Sequence, residues 1–139
     1  MSLELGGKSP QLIFESADLD QAANWACLGI LYNTGQDCTA GSRLYVQESV
    51  YDKFVALVVE KAKQLVIGDG FDEGSGGGPV VSSSRRMLMC LAYNFIQVSK
   101  VQYDKVWGYI ENGKAQGAKL ALGGQKRPGK GFFVDPTSK

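Results

Sequence analysis

One cysteine of the chain stands where a thiol could work as a nucleophile. Cys38 follows Gly35-Gln36-Asp37 and precedes Thr39-Ala40-Gly41-Ser42, small residues that let a substrate carbon and backbone N–H groups come close to the sulfur. A free cysteine is by default a small, inert hydrophobe, and that reading holds for the other two. Cys27 lies between Ala26 and Leu28 in a helical pattern with nothing nearby to lower its pKa, and Cys90 sits in the apolar run RRMLMCLAYNF, which suppresses a thiolate. A nucleophile also needs a base. The chain has no histidine, which excludes a His-based triad and leaves little room for a Cys38 hydrolase, and the sequence around Cys38 shows no base beside it. Glu4 in LELGGKS is the candidate, set between two leucines just before Gly6-Gly7. An apolar setting of that kind makes a carboxylate a working general base, although a glutamate before a Gly-Gly turn is more often a plain surface residue.

The elements that must position these residues alternate between strand and helix. QLIFE (Gln11 to Glu15) is a short apolar run of strand formers, and the following SADLDQ offers Ser16 and Asp18 as helix N-caps. A helix fits from Leu19 to about Asn33, with Leu19, Ala23, Ala26, Cys27, Ile30 and Leu31 mostly on one face, and Gly35 ends it. RLYVQ (Arg43 to Gln47) alternates like a strand. Ser49 then caps a second helix, with Asp52 three residues on, apolar positions at helical spacing, and Lys61 and Lys63 near a C-terminal end where the macrodipole favours cations. The glycine-rich stretch from Gly68 to Pro79 lacks the GK[ST] ending of a phosphate loop and reads as a turn. Ser99 caps a third helix to about Gln116, and KLALGG and GFFVDP read as strands flanking the basic turn QKRPGK. Strands between helices predict an α/β layer arrangement.

Composition narrows the function. With 15 basic against 14 acidic residues, the charge gives no reason to expect nucleic acid or an anionic membrane as partner. No apolar run reaches the roughly 18 to 20 residues of a membrane span, and the first ten residues lack the basic start and apolar stretch of a signal peptide. Three cysteines without CxxC spacing exclude the usual zinc ligand sets, so no metal is expected.

LELGGKS and TGQDCTAGSR, with Glu4 and Cys38 34 positions apart, resemble the glutamate and cysteine signatures of the NAD(P)-dependent aldehyde dehydrogenases. The resemblance runs on through SPQLIFESADLDQAANWACLGILYNTGQDCTAGSRLYVQESVYDKF, VQYDKVWGYIENGKAQGAKLALGG and GFFVDPT. It implies an α/β fold, part of the family's catalytic domain, with a Rossmann-like open parallel sheet flanked by helices. Residues 1–139 would be a partial catalytic domain. It implies Cys38 as the thiolate that attacks an aldehyde carbon, and Glu4 as the base that activates water and helps deprotonate the thiol. The Cys38 backbone N–H would be an oxyanion donor, a contact of a type worth about 3 to 4 kcal/mol. Glu4, Leu5 and Gly6 would be the cofactor-binding residues present, NAD or NADP the cofactor, an aldehyde the substrate, a homo-oligomer the assembly and the cytoplasm the location.

Two departures accompany the match. Members of that family are several times longer, with their dinucleotide-binding segments and an asparagine oxyanion donor mostly upstream of the glutamate motif. No GxGxxG turn follows a strand here. The 139-residue chain by itself is therefore expected not to oxidise aldehydes, and NAD-dependent turnover abolished by Cys38→Ala would overturn this. The second departure is internal. Removing Ser83 to Ser99 restores a continuous GPVVSKVQYDKV, which points to an atypical insertion at 83–99 of the kind a translated intron or a gene-model error produces. A genuine surface insertion is the other reading, and its Met87, Leu88, Met89, Leu91 and Phe95 would then need an added helix to bury them. A different class of function stands beside the enzyme: a non-catalytic, dehydrogenase-derived fragment or interaction module.

Overall fold

The structure, a computed structural model, describes residues 1–69, 71, 73–75, 99–129 and 131–138. The expected insertion, apart from Ser99, and with it Cys90, lies outside the described residues. The chain divides into two compact units, Met1–Val66 and Ile67–Lys139.

The first unit runs β1 (Pro10–Ile13), α1 (Leu19–Leu31), β2 (Arg43–Val46) and α2 (Tyr51–Lys63). β1 and β2 pair in parallel, Pro10 opposite Arg43 and Ile13 opposite Val46. A parallel pair needs a long crossover, and α1 supplies it. Asp18 rather than Ser16 caps α1, its carboxylate accepting from the Gln21 N–H at 3.1 Å. Ala23, Ala26 and Phe54 form the buried centre, with Ile13, Val46, Leu57 and Val58 packed around them. The alanines let α2 approach α1 closely, and Phe54 fills the gap with no exposed surface. Side chains alternate along a strand, so Leu12 and its partner Tyr45 stand on the opposite face, more than half exposed.

The start of α2 departs from expectation. Ser49 does not cap it: Val50 occupies the N-cap without a side-chain bond, after a 3-10 turn at Glu48–Val50. The Ser49 hydroxyl instead donates to Glu15 Oε2 at 2.7 Å, because a bond to a carboxylate is stronger than one within the helix end. The Glu15 N–H donates to Gln47 Oε1 at 3.0 Å and the Gln47 N–H to Ile13 O at 2.9 Å, so three bonds tie the end of β1 to the entry of α2.

In the second unit, α3 (Lys100–Ala115) begins where expected, with Ser99 Oγ accepting from the Val101 N–H. Trp107 and Ile110 are its buried residues, and Tyr103 meets Trp107 edge-on at 6.1 Å and Phe132 at 5.6 Å. The strands expected at KLALGG and GFFVDP are not formed. One isolated antiparallel bridge, Leu122 with Ser138, stands in their place. Gly123 and Gly124 follow it at φ +71° and +75°, a left-handed pair that turns the backbone out of the extended path a ladder needs. None of the helices among the described residues is long and apolar enough to cross a membrane.

Candidate active site

The parallel register decides what meets what. The glutamate segment leads into β1 and the cysteine segment into β2, so both arrive at the same, N-terminal end of the paired strands. Open α/β sheets more often bind ligands at the carboxyl ends. Arg43 locks the junction: its Nε donates to Lys8 O at 2.9 Å and its N–H to Ser9 O at 3.3 Å. At Gly7 a Cβ would lie 2.8 Å from Cys38 O, so only glycine permits the approach of the two segments.

The loop that carries Cys38 is held at both ends. Helix α1 stops at Leu31 and passes into a 3-10 turn at Tyr32–Gly35, in which Asn33 and Thr34 are left-handed at φ +50° and +57°. For a β-branched residue this is a strained conformation, on the order of 1 to 3 kcal/mol. Asn33 Nδ2 donates to Gln36 O at 3.1 Å, and Gln36 Nε2 to Thr34 Oγ1 at 2.6 Å, which hold the turn in place. Beyond Cys38, Ala40 is buried and the Gly41 N–H donates to Gly29 O of α1 at 2.9 Å. Gln11, from β1, donates through Nε2 to Gly41 O at 3.0 Å and to Ala26 O at 3.5 Å. Between these anchors Cys38 is exposed as a free thiol.

Asp37 shapes the turn around the sulfur. Its Oδ1 accepts from the Thr39 N–H and the Thr39 hydroxyl, each at 2.8 Å. These bonds, the backbone one foremost and a smaller one from the Cys38 side chain, hold the Asp37 carboxyl below its ordinary 3.8. Glu4 is exposed, and so are Leu3 and Leu5 at 59% and 84%. The apolar setting expected for Glu4 is therefore not formed by its own neighbours, which point into solvent rather than over the carboxylate. Gly6 is left-handed at φ +68° with open space where a Cβ would stand.

Cys27 is half-buried, with one correction to its expected surroundings. Burial raises its thiol from 9.0, but Lys61 opposes the shift, so a charge does lie close enough to favour the thiolate. Its Sγ donates to Val58 O at 3.6 Å. No group of three or more potential metal-ligating side chains occurs among the described residues. Sequence reasoning passed over Asp37, although an aspartate two residues before a threonine is a readable turn signal. It also passed over Gln11, whose partners lie on other elements and leave no local trace.

A sequence profile described as "Aldehyde dehydrogenase family" matches residues 1–93 and 96–138. An aldehyde dehydrogenase-like protein of Schizosaccharomyces pombe is 49% identical over 99% of this chain, and an aldehyde dehydrogenase of Davidiella tassiana 46% over 99%. The chain spans about a quarter of the length of these relatives, 24% of each. The NAD+ complex of an aldehyde dehydrogenase from Bacillus cereus superposes with a TM-score of 0.79 at 41% identity, covering 95% of this chain and 23% of that one.

Proposed function

Because this chain belongs to the aldehyde dehydrogenase family, we propose that it carries the nucleophile and base segments of an NAD(P)-dependent oxidation of an aldehyde to a carboxylic acid. The observation that carries the reading is the close approach of Gly7 to Cys38 O, which brings LELGGKS against the cysteine loop. The Cys38 thiolate adds to the aldehyde carbon to give a thiohemiacetal, whose alkoxide the Cys38 backbone N–H stabilises. NAD or NADP, when bound, supplies the hydride acceptor that leaves a thioester on Cys38. Glu4 takes a proton from water, the hydroxide adds to the thioester carbon, and the C–S bond breaks to release the acid and the thiol. Glu4, Leu5 and Gly6 are the cofactor-binding residues of this proposal. What supports this is the open space beside Gly6, which leaves its backbone accessible to a bound group.

The test uses p-nitrophenyl acetate, which acylates a reactive thiol with release of p-nitrophenolate. Cys38→Ala is expected to abolish the release, whereas Glu4→Gln preserves the first turnover and traps the thioester, seen by mass spectrometry as an acetyl group on Cys38. A wild-type chain whose Cys38 is neither acylated nor alkylated by iodoacetamide faster than Cys27 sinks the reading. That result would favour the second one, a non-catalytic interaction module, which the bare apolar sheet face supports. The proposal includes a cytoplasmic, homo-oligomeric whole protein; free thiols at Cys27 and Cys38 suit a reducing compartment. It also includes the reading of 1–139 as a partial catalytic domain with an atypical insertion at 83–99, from translated intron or a gene-model error, with a genuine surface insertion as the other reading. The profile match runs through 83–93 and 96–99 of that segment and skips only residues 94 and 95, which weighs against the intron reading, and mature transcript encoding Met87 to Gln97 would overturn it.

A further inference from the structure

The Gln11 side chain does more than fill a strand position. Its carboxamide nitrogen reaches two carbonyls that belong to different elements, Ala26 O of α1 and Gly41 O of the cysteine loop. It also lies in a notch made by two missing side chains. A Cβ on Gly29 would stand 3.1 Å from Nε2, and one on Gly41 only 1.9 Å from it. Neither glycine has a positive φ, so steric room rather than backbone conformation explains them. Both anchors of the loop's return converge here, since the Gly41 N–H is bonded to Gly29 O while Gly41 O is bonded to Gln11. Three residues upstream is Cys38.

We propose that Gln11 is the positioning residue of the Cys38 loop: its amide, seated between Gly29 and Gly41, fixes the loop against α1 and so sets the line along which the thiolate and the Cys38 backbone N–H address a carbonyl carbon. The inference rests on the reading of Cys38 as the nucleophile. Alkylation by iodoacetamide needs only an exposed thiolate. Acyl transfer needs the sulfur and an oxyanion donor in fixed relation, and misplacement by about an ångström costs on the order of a hundredfold. A residue that positions the loop must therefore affect the second reaction and spare the first.

The experiment compares the two reactions at Cys38 in the 139-residue chain, with Cys27 as an internal report on the fold. Gln11→Met keeps the length of the side chain and removes its donor. It is expected to lower p-nitrophenyl acetate acylation of Cys38 roughly tenfold or more, leave its iodoacetamide rate within about twofold, and leave Cys27 as slow as before. Gly41→Ala should reproduce this, because its methyl group takes the place of the amide. In a Gln11→Ala background Gly41→Ala should add little, the two losses being one loss. Unchanged acylation in Gln11→Met overturns the inference and leaves the nucleophile reading standing. Faster labelling of Cys27 together with Cys38 would also overturn it, by making the amide a general support of the fold. A wild-type chain that is not acylated at Cys38 removes the nucleophile reading and this inference with it.

Discussion

Asp37 and Thr39 form the smallest working part of the site, a carboxylate gripping the backbone one residue past the sulfur. Because those bonds hold the Asp37 carboxyl below 3.8 in the folded chain, their contribution is complete above 3.8 and is lost as the pH falls through the lower, folded value. The Thr39 amide proton resonance should accordingly titrate with a midpoint below 3.8, and a midpoint at or above it would show that the turn does not form. Cys27 behaves in the opposite sense. Burial raises its thiol above 9.0, so the stability gained by keeping it neutral is present below 9.0 and is lost as the pH rises through the folded value. Its alkylation should begin at a higher pH in the native chain than in urea; coincident profiles would contradict the burial. Gly7 is a matter of space. A methyl group there meets Cys38 O, and Gly7→Ala is expected to cut acylation of Cys38 roughly tenfold or more, measured as the p-nitrophenolate burst. At this scale the sequence offered Cys38 and Glu4 as candidates, paired only through the resemblance of their two segments to a known family. It did not name what holds them, because Gly7 and Gln11 act through contacts with residues far along the chain.

Element by element, what was legible divides by the range of the interaction involved. Ser99 was readable as the cap of α3 because its partner, the Val101 N–H, is two residues away. Ser49 looked as good a cap and is not one, because the carboxylate of Glu15, on the far side of α1 in sequence, takes its hydroxyl. Urea denaturation separates the cases: Ser99→Ala should cost about 1 kcal/mol in the second unit by fraying α3. Ser49→Ala should leave the helicity of α2 intact and loosen the contact with Glu15. A loss of α2 helicity in Ser49→Ala would restore the capping role. Phe54 reports on the packing of α2 against α1 and the sheet. It is fully buried between alanines that cannot close over a void, so Phe54→Ala should cost about 3 to 5 kcal/mol. The C-terminal end of α1 and the missing strands near Leu122 share a cause that a propensity pattern does not carry. In both places the backbone turns left-handed, at Asn33 to Gly35 and at Gly123 to Gly124, and regular structure stops.

For the molecule as a whole, the first unit's sheet is parallel yet its helices α1 and α2 leave Leu12, Phe14 and Tyr45 more than half exposed. Parallel sheets are ordinarily covered on both faces, and an apolar face of this kind drives association. Light scattering of the purified chain should show self-association that falls when Leu12, Phe14 and Tyr45 are replaced together by threonine, with far-UV circular dichroism unchanged. The α/β class followed from the alternation of elements and the parallel sense from the family resemblance, whereas the bare face emerged only once the register was known. That register also governs time. Pairing Pro10 with Arg43 closes a loop containing all of α1, and the entropy of closing it must be met before any contact across it is gained. On a ribosome, then, the glutamate segment emerges before the cysteine segment and waits for it. Cys38 acquires its neighbour only at the step that completes the crossover, so the assembly of the candidate site and the folding of β1–α1–β2 are a single kinetic event.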